Sequence, residues 1–443
     1  MSLQRFIPLS PDKFIRNSQD FEVAKFGHLN AIVEYINGNS GAGLKLSGDG
    51  LIAITLKSIL DSNGNTTPLL LSSTSVTNYG AGGITTNTAF GQEALIANTT
   101  GTSNTATGFR SLWSNTTGTA NTADGIYALI NNTTGGSNTA QGYGALALNT
   151  IGNFNTAVGV ESLFNNTIGE FNSAFGRYAL RSNISGSYNV GIGNFALANN
   201  TTGIINTGLG TTTLYQNTTG NYNTAAGNNA LGGNTSGNNN SAFGVQSLFS
   251  NTTASDNTAV GYQAGYGNTT GSITAIGAQA LRSNTTGGNN TANGINALYS
   301  NTTGAGNTAI GTSSLRLNQT GTGNTALGYL SLENNTNSNN TAVGYRSLNA
   351  NTSGTTNVAV GVDSLSSNTT ANNNTAIGYN TQTSNFNGSV ILGSAAIATA
   401  NNQFVVGSST VNAGAIDTAV VAPTQRWKVK INGVDYYIAL QPA

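Results

Sequence analysis

The chain contains no cysteine, so a disulfide framework, a thiolate metal site and a cysteine nucleophile are all excluded. Charge is nearly as scarce. Only 7% of the 443 residues are ionised, against roughly 25% in an average soluble protein. The fifteen acids and fifteen bases cancel, leaving no net field to gather nucleic acid or an anionic membrane. Proline appears five times and histidine once, at His28 and outside the repeats, so no Ser-His-Asp triad can be built in the roll and no multi-histidine metal site within one chain. No run of 18 apolar residues offers a membrane span, and MSLQRFIPLSPDKF lacks the apolar core of a secretory signal. No membrane insertion, nucleic-acid partner or cofactor is therefore expected.

What is abundant is glycine, at 58 residues, together with Asn and Thr. A polar, low-charge chain invites a disordered reading, but disorder goes with high net charge and few apolar residues. Here 37% of residues are hydrophobic, and they recur at fixed places. Taking Gly91 as an anchor, glycine returns at Gly108, Gly125, Gly142, Gly159 and onward to Gly378, in steps of 17 with two of 16. A degenerate turn then reaches Gly393. Four residues after the anchor stands leucine, as at Leu95, Leu112, Leu129, Leu146 and Leu163. Seven after it stands asparagine, as at Asn98, Asn115, Asn132 and Asn149. The consensus is NTAVGxxALxxNTTGxx.

A period of 17 is too short for a helix-turn-helix repeat, which needs about 33 residues. Gly, Asn and Thr are also poor helix formers. The NTAVG stretch suits a short strand, and the segment through the leucine column is expected to form a second, with leucine inward. NTTG and GxxN supply turns, because Gly and Asn tolerate positive φ. Both 16-residue steps are expected to lose their residue in the GxxN turn. The fold class is thus all-β: a parallel β-solenoid (β-roll) of about 18 coils, roughly 85 Å long at about 4.8 Å per coil. Leucine and alanine columns form a thin core, and the Asn columns a turn ladder bonded from coil to coil, as in cross-β stacks. A thin roll buries little on its own, so three chains wrapped together would cover Trp113, Phe164, Tyr215 and Phe249 beside the leucine column.

The coils at Asn155–Gly159 and Asn307–Gly311 resemble the head repeats of trimeric autotransporter adhesins, the YadA-like β-roll, and repeats in bacteriophage tail and head fibres. The resemblance covers about 87–393. It implies a left-handed coil, a homotrimer and an attachment role, and carries over no individual binding residue. No stalk heptads follow and the end, DYYIALQPA, is not a membrane-anchor strand, which with the missing signal favours a virion fibre over a bacterial surface adhesin.

Four segments are expected. Residues 1–40 read as a docking helix from Ser18 to Asn37-Gly38, with Phe21, Phe26, Leu29, Ile32, Val33 and Ile36 as its apolar stripe. It would join a virion capsid or tail protein, or cap the trimer. Residues 41–86 form a β-rich collar with Asp-Gly and Asn-Gly turns, and 87–393 the repeat shaft. Residues 394–443 hold a hairpin around Asn432-Gly433 that resembles the ends of phage tail proteins. It closes the open edge, or presents Trp427, Tyr436 and Tyr437 to a host glycan or protein.

Enzymatic readings fare poorly. The seven acids of the repeats are scattered over different columns, and only Glu161 and Glu170 offer a pair that adjacent coils could bring together for glycoside hydrolysis. Calcium-binding solenoids need an Asp in each turn, where this chain has Asn or Thr. The Asn-Thr-Thr sequons match the glycosylation pattern, but glycans about 5 Å apart could not all fit. Regular threonine arrays can also match an ice lattice, and the Thr-Thr pair is the candidate, although its place in a turn argues against a flat array. The expectation is a non-enzymatic attachment fibre on a virion surface, with a bacterial surface adhesin and an ice-binding solenoid as alternatives.

Overall fold

The computed structural model describes residue 84, residues 86–408 and six strands outside them. The docking helix expected over 1–40, with its six apolar residues, lies outside the described residues. Within 41–86, Lys45–Leu46 pairs antiparallel with Ile52–Ala53 across Asp49-Gly50, and Ile59–Leu60 with Thr66–Thr67 across Asn63-Gly64. Near the end, Arg426–Ile431 pairs antiparallel with Val434–Ala439 around Asn432-Gly433.

Between them stands one parallel stack of twenty short strands, from Thr88–Phe90 to Phe404–Val406. Each strand pairs only with the coil before and the coil after, giving about 19 turns and a rod of roughly 90 Å at 4.8 Å per coil. The register is that of the sequence repeat: Thr156 faces Ser173, Ala157 faces Ala174 and Val158 faces Phe175. The stack continues one rung past the boundary expected at 393, because Phe404–Val406 joins Val390–Leu392. The apolar QFVVG run is therefore a last coil.

Each coil has one strand, not two. The leucine segment is an arc of turns in which left-handed residues recur at alternate positions, such as Glu161 and Leu163. All sixteen leucines of the column sit at φ between 49° and 53°. Their amides still join neighbouring coils: the Leu163 N–H donates to the Ala179 carbonyl at 3.0 Å, and the Tyr178 N–H to the Val160 carbonyl at 3.0 Å. Bonding thus runs up and down the rod on the arc as it does on the sheet, which satisfies buried backbone without a second strand.

The core is one file of side chains. Leucines from the arc and alanines from both walls are fully buried from Leu112 to Leu365. A Cβ added at Gly191, which replaces the strand alanine in its coil, would lie 3.3 Å from Leu180 Cγ, so leucine meets the strand wall directly. The anchor glycine is demanded twice over. Gly159 has φ of 132°, and a Cβ there would lie 2.6 Å from the Gly176 carbonyl oxygen. A side chain would be strained and would push adjacent coils apart.

One coil departs from the pattern in two places that compensate. Gly265 stands where leucine is expected, and Ile273 is the one departure, from Asn87 to Asn374, from the asparagine four residues before the anchor. Ile273 is buried, and a Cβ on Gly265 would lie 2.9 Å from its Cδ1. The isoleucine fills the missing leucine's space from the opposite corner. It offers no side-chain carbonyl to the next coil, and there the strand pairing lengthens to four residues, Ile273–Ile276 against Asn290–Asn293. A double-mutant cycle should show the coupling. Ile273→Asn alone opens a cavity worth about 2–4 kcal/mol, and Gly265→Leu alone overpacks by about 1–3 kcal/mol. The double variant should recover at least about 1 kcal/mol of their sum in denaturant titrations. Strict additivity would refute the pairing.

Candidate functional site

With no catalytic cluster expected, the features able to act are the ladders and the outward columns. The asparagine column after the arc is buried: Asn115, Asn132 and Asn149 are fully covered and Asn98 nearly so. Asn132 Nδ2 donates to Asn115 Oδ1 at 2.8 Å and to the Gly135 carbonyl at 2.9 Å, while its Oδ1 accepts from Asn149 Nδ2 at 2.7 Å. The second column, four residues before the anchor, works differently. Asn138 Oδ1 accepts the backbone N–H of Asn155 at 2.9 Å, and its Nδ2 reaches Asn121 Oδ1 at 3.1 Å and the Gly152 carbonyl at 2.9 Å. Both columns share the turn glycine carbonyl: Gly135 also accepts from Asn121 Nδ2 at 2.8 Å. Two ladders and a glycine row thus close one end of the core. The sequon asparagines of the first ladder have both amide hydrogens committed inside the rod, and a glycan on one is incompatible with the fold.

The two short steps differ. After Gly261, Asn268 keeps its bond to Gly271 three residues on, so the loss falls in the GxxN turn as expected. After Gly328 it falls in the NTTG turn instead. Asn335 bonds the carbonyl of Asn337, only two residues on, and leaves Asn318 Oδ1 buried without a partner.

The threonine pair beside this ladder is not a free hydroxyl array. Its first member donates to the next coil, as Thr116 Oγ1 does to the Thr133 carbonyl at 3.1 Å. A different threonine column, three residues before the anchor, points outward on the strand face, as at Thr156 and Thr207.

Charge is sorted by face. All six arginines of the stack lie on the arc, and four pair with acids from other coils: Arg110–Glu93 and Arg181–Glu161 at 2.7 Å, Arg316–Glu333 at 2.9 Å and Arg346–Asp363 at 3.7 Å. Such exposed pairs contribute about 0–1 kcal/mol each. Trp113, Phe164, Tyr215 and Phe249 lie on this face, where Arg110 stands over Trp113 and Arg181 over Phe164. Glu161 is held by Arg181 on the arc, whereas Glu170, in the turn before the strand, accepts from Asn153 Nδ2 at 2.8 Å. The two carboxylates belong to different walls, and no shared site forms between them. Among the described residues, no three His, Cys, Asp or Glu side chains could hold a metal, and no helix is long and apolar enough to cross a membrane.

The strand face is the opposite in character. Its two outward columns carry a single ionisable residue, Asp124, between residues 88 and 392. The column just before the anchor is mostly apolar and open: Phe90 is 57% exposed, Ile192 42% and Ile377 46%. The column just after it, where the arc begins, adds Val160, Tyr262 and Tyr379 but also carries Arg177. In the column before the anchor, a largely apolar stripe without ionisable residues therefore runs from Val158 to Leu392, broken by Asn293. Sequence reasoning missed it by looking beside the leucines; the signal was the Val, Ile, Leu or Phe that recurs before the anchor. Trp427, Tyr436 and Tyr437 lie on the paired terminal strands, Trp427 opposite Ile438 and Tyr436 opposite Val429.

No family model matches this chain, and no curated protein matches it.

Proposed function

We propose that the chain is the shaft-forming subunit of a homotrimeric attachment fibre, carried on a virion and acting by multivalent contact with a host surface. The observation that carries the reading is the uncharged apolar stripe along a continuous in-register rod. A strip roughly 65 Å long, from Val158 to Leu392, and about 10 Å wide approaches the roughly 800 Å² per partner of a stable interface. A second and third copy of this chain match it in length, period and lack of charge. The resemblance of the NTAVG coils to trimeric adhesin heads and phage fibres supports the same assembly, with a left-handed coil. One terminus docks to a capsid or tail protein, and the other closes the stack or meets the host glycan or protein. Several trimers per particle then convert weak contacts into lasting adhesion. A non-enzymatic role fits the scattered acids, four of which pair with arginines.

Solution mass is the test, with 44.9 kDa per chain as the unit. An elongated particle of three chain masses is expected. Ile192→Lys with Leu209→Lys, both on the open stripe, should drive it to one chain mass while the fold persists. A wild-type monomer would overturn the assembly. Binding of the trimer, but not the monomeric variant, to host cells would test the attachment role. Location separates virion fibre from bacterial surface adhesin: antibody labelling on purified particles supports the first, and labelling of the producing cell alone the second.

A further inference from the structure

In the column five residues before the anchor, five successive coils break with the rest of the rod. Elsewhere this position holds small or polar residues, as at Ser103, Ala120, Ser137, Asn239 and Asp256. From the fifth coil on it holds Phe154, Phe171, Tyr188, Ile205 and Tyr222. The backbone here is left-handed whatever the side chain, with φ of 57° at Ser137, 56° at Phe171 and 55° at Ile205. Asn or Gly suits that conformation, whereas a bulky or β-branched residue is a genuine outlier. Nor are these residues buried, being 40% to 56% exposed. Stacking recovers something for the rings, but Ile205 is strained, open and outside any ring pair. Strained exposed apolar residues that serve neither core nor backbone mark function.

We propose that this column binds a flat, elongated aromatic cation lying along the rod. Phe154 and Phe171 stack with centroids 4.8 Å apart and planes 9° from parallel, and Phe171 and Tyr188 at 5.0 Å and 5°. Their faces cover one another, so their edges point out. Ring edges are the positive part of the aromatic quadrupole, and their best partner is the negative face of an electron-rich ring in T-shaped contact, which places the ligand's positive charge on a group beyond that ring. A sugar would need ring faces, which this ladder withholds. The five rungs span about 19 Å, the length of a few linked rings. The sign of charge comes from Glu170, beside Phe171. Its carboxylate accepts from the neutral Asn153 amide and pairs with no cation among the described residues.

Thioflavin T, a flat cationic dye, serves as probe in a fluorescence titration of the full chain. Saturable binding is expected. Phe171→Ser and Tyr188→Ser, which install a residue this column already uses, should weaken it at least tenfold. Glu170→Gln should weaken it a few-fold, with less salt dependence. Tyr345→Thr, in the separate Tyr329–Tyr345 stack, should leave it unchanged. Ile205→Asn should lower affinity yet raise the melting temperature. The proposal is overturned if the dye does not bind, if the serine variants bind as the wild type does, or if Ile205→Asn melts earlier. It is equally overturned if the serine variants change the solution mass, since the column would then be a contact between copies.

Discussion

Asn166→Asp should be among the most damaging single-atom changes available to this rod, and its damage should grow as pH rises. Asn166 is fully buried in the ladder. Its Nδ2 donates to Asn149 Oδ1 at 2.7 Å and to the Gly169 carbonyl at 3.0 Å, while its Oδ1 accepts from Asn183 Nδ2 at 2.8 Å. Aspartate replaces the NH₂ with an oxygen that faces two other oxygens at hydrogen-bond distance. The ionised form supplies no donor and is uncompensated in a buried site, at about 3–5 kcal/mol. The protonated form restores one O–H and leaves one acceptor short, at about 1–3 kcal/mol. Burial and the facing carbonyls both favour the neutral acid, so the folded-state pKa of this introduced carboxyl lies above its unfolded value of about 3.9. With the folded pKa raised, the stabilising proton is fully present below about pH 4 and is lost as pH climbs through the folded pKa. Denaturant titrations at pH 4 and pH 7 should therefore show the variant closer to wild type at the lower pH. An equal loss at both would show that position 166 does not sit in a donor-dependent ladder.

The same ladder explains how much of this protein can be read from its sequence. Period, strand position and inward leucine all follow from columns that keep register over hundreds of residues, because a solenoid repeats its environment along with its sequence. The second strand does not follow, and the reason is specific. Outward Phe164 beside inward Leu163 looks like β alternation, although Glu161, two residues before the leucine, points to the other side, which a strand would not allow. The contrary signal was Ser162, or Ala128 beside Leu129 in another coil: two adjacent buried positions, which a flat strand cannot supply. Leucine itself hid the conformation, since Gly or Asn would have announced a positive φ. The outward face was harder still. Its apolar column is visible in the repeat, but only the single-strand coil shows that the column points to solvent, away from the arginines and aromatics of the arc.

Leu163 carries the second large effect, and comparing two substitutions isolates its backbone from its side chain. The residue is fully buried and sits at φ 49°, its N–H bonded to Ala179 and its carbonyl accepting from Asn166 at 3.1 Å. Leu163→Ala removes the wedge between arc and strand and should cost about 2–5 kcal/mol, the range for a buried leucine that leaves a cavity. Alanine keeps its Cβ and with it the left-handed penalty of about 1–2 kcal/mol. Glycine deletes one more carbon and frees the unfolded chain, a loss of about 0.5–1 kcal/mol, but sheds that penalty. The two contributions nearly cancel. Leu163→Gly should accordingly be no less stable than Leu163→Ala, whereas on a right-handed or extended backbone it would be clearly worse. Gly265, which occupies this column with φ of 60°, shows that the arc accepts glycine when Ile273 fills the space. Guanidinium titrations of the two variants would decide it. A glycine variant weaker than the alanine one by more than about 1 kcal/mol would mean that the leucine column is not held left-handed. Equality would establish that each coil tolerates strain on its arc so that a leucine can reach the alanine wall, a trade that the bonding between coils makes sustainable.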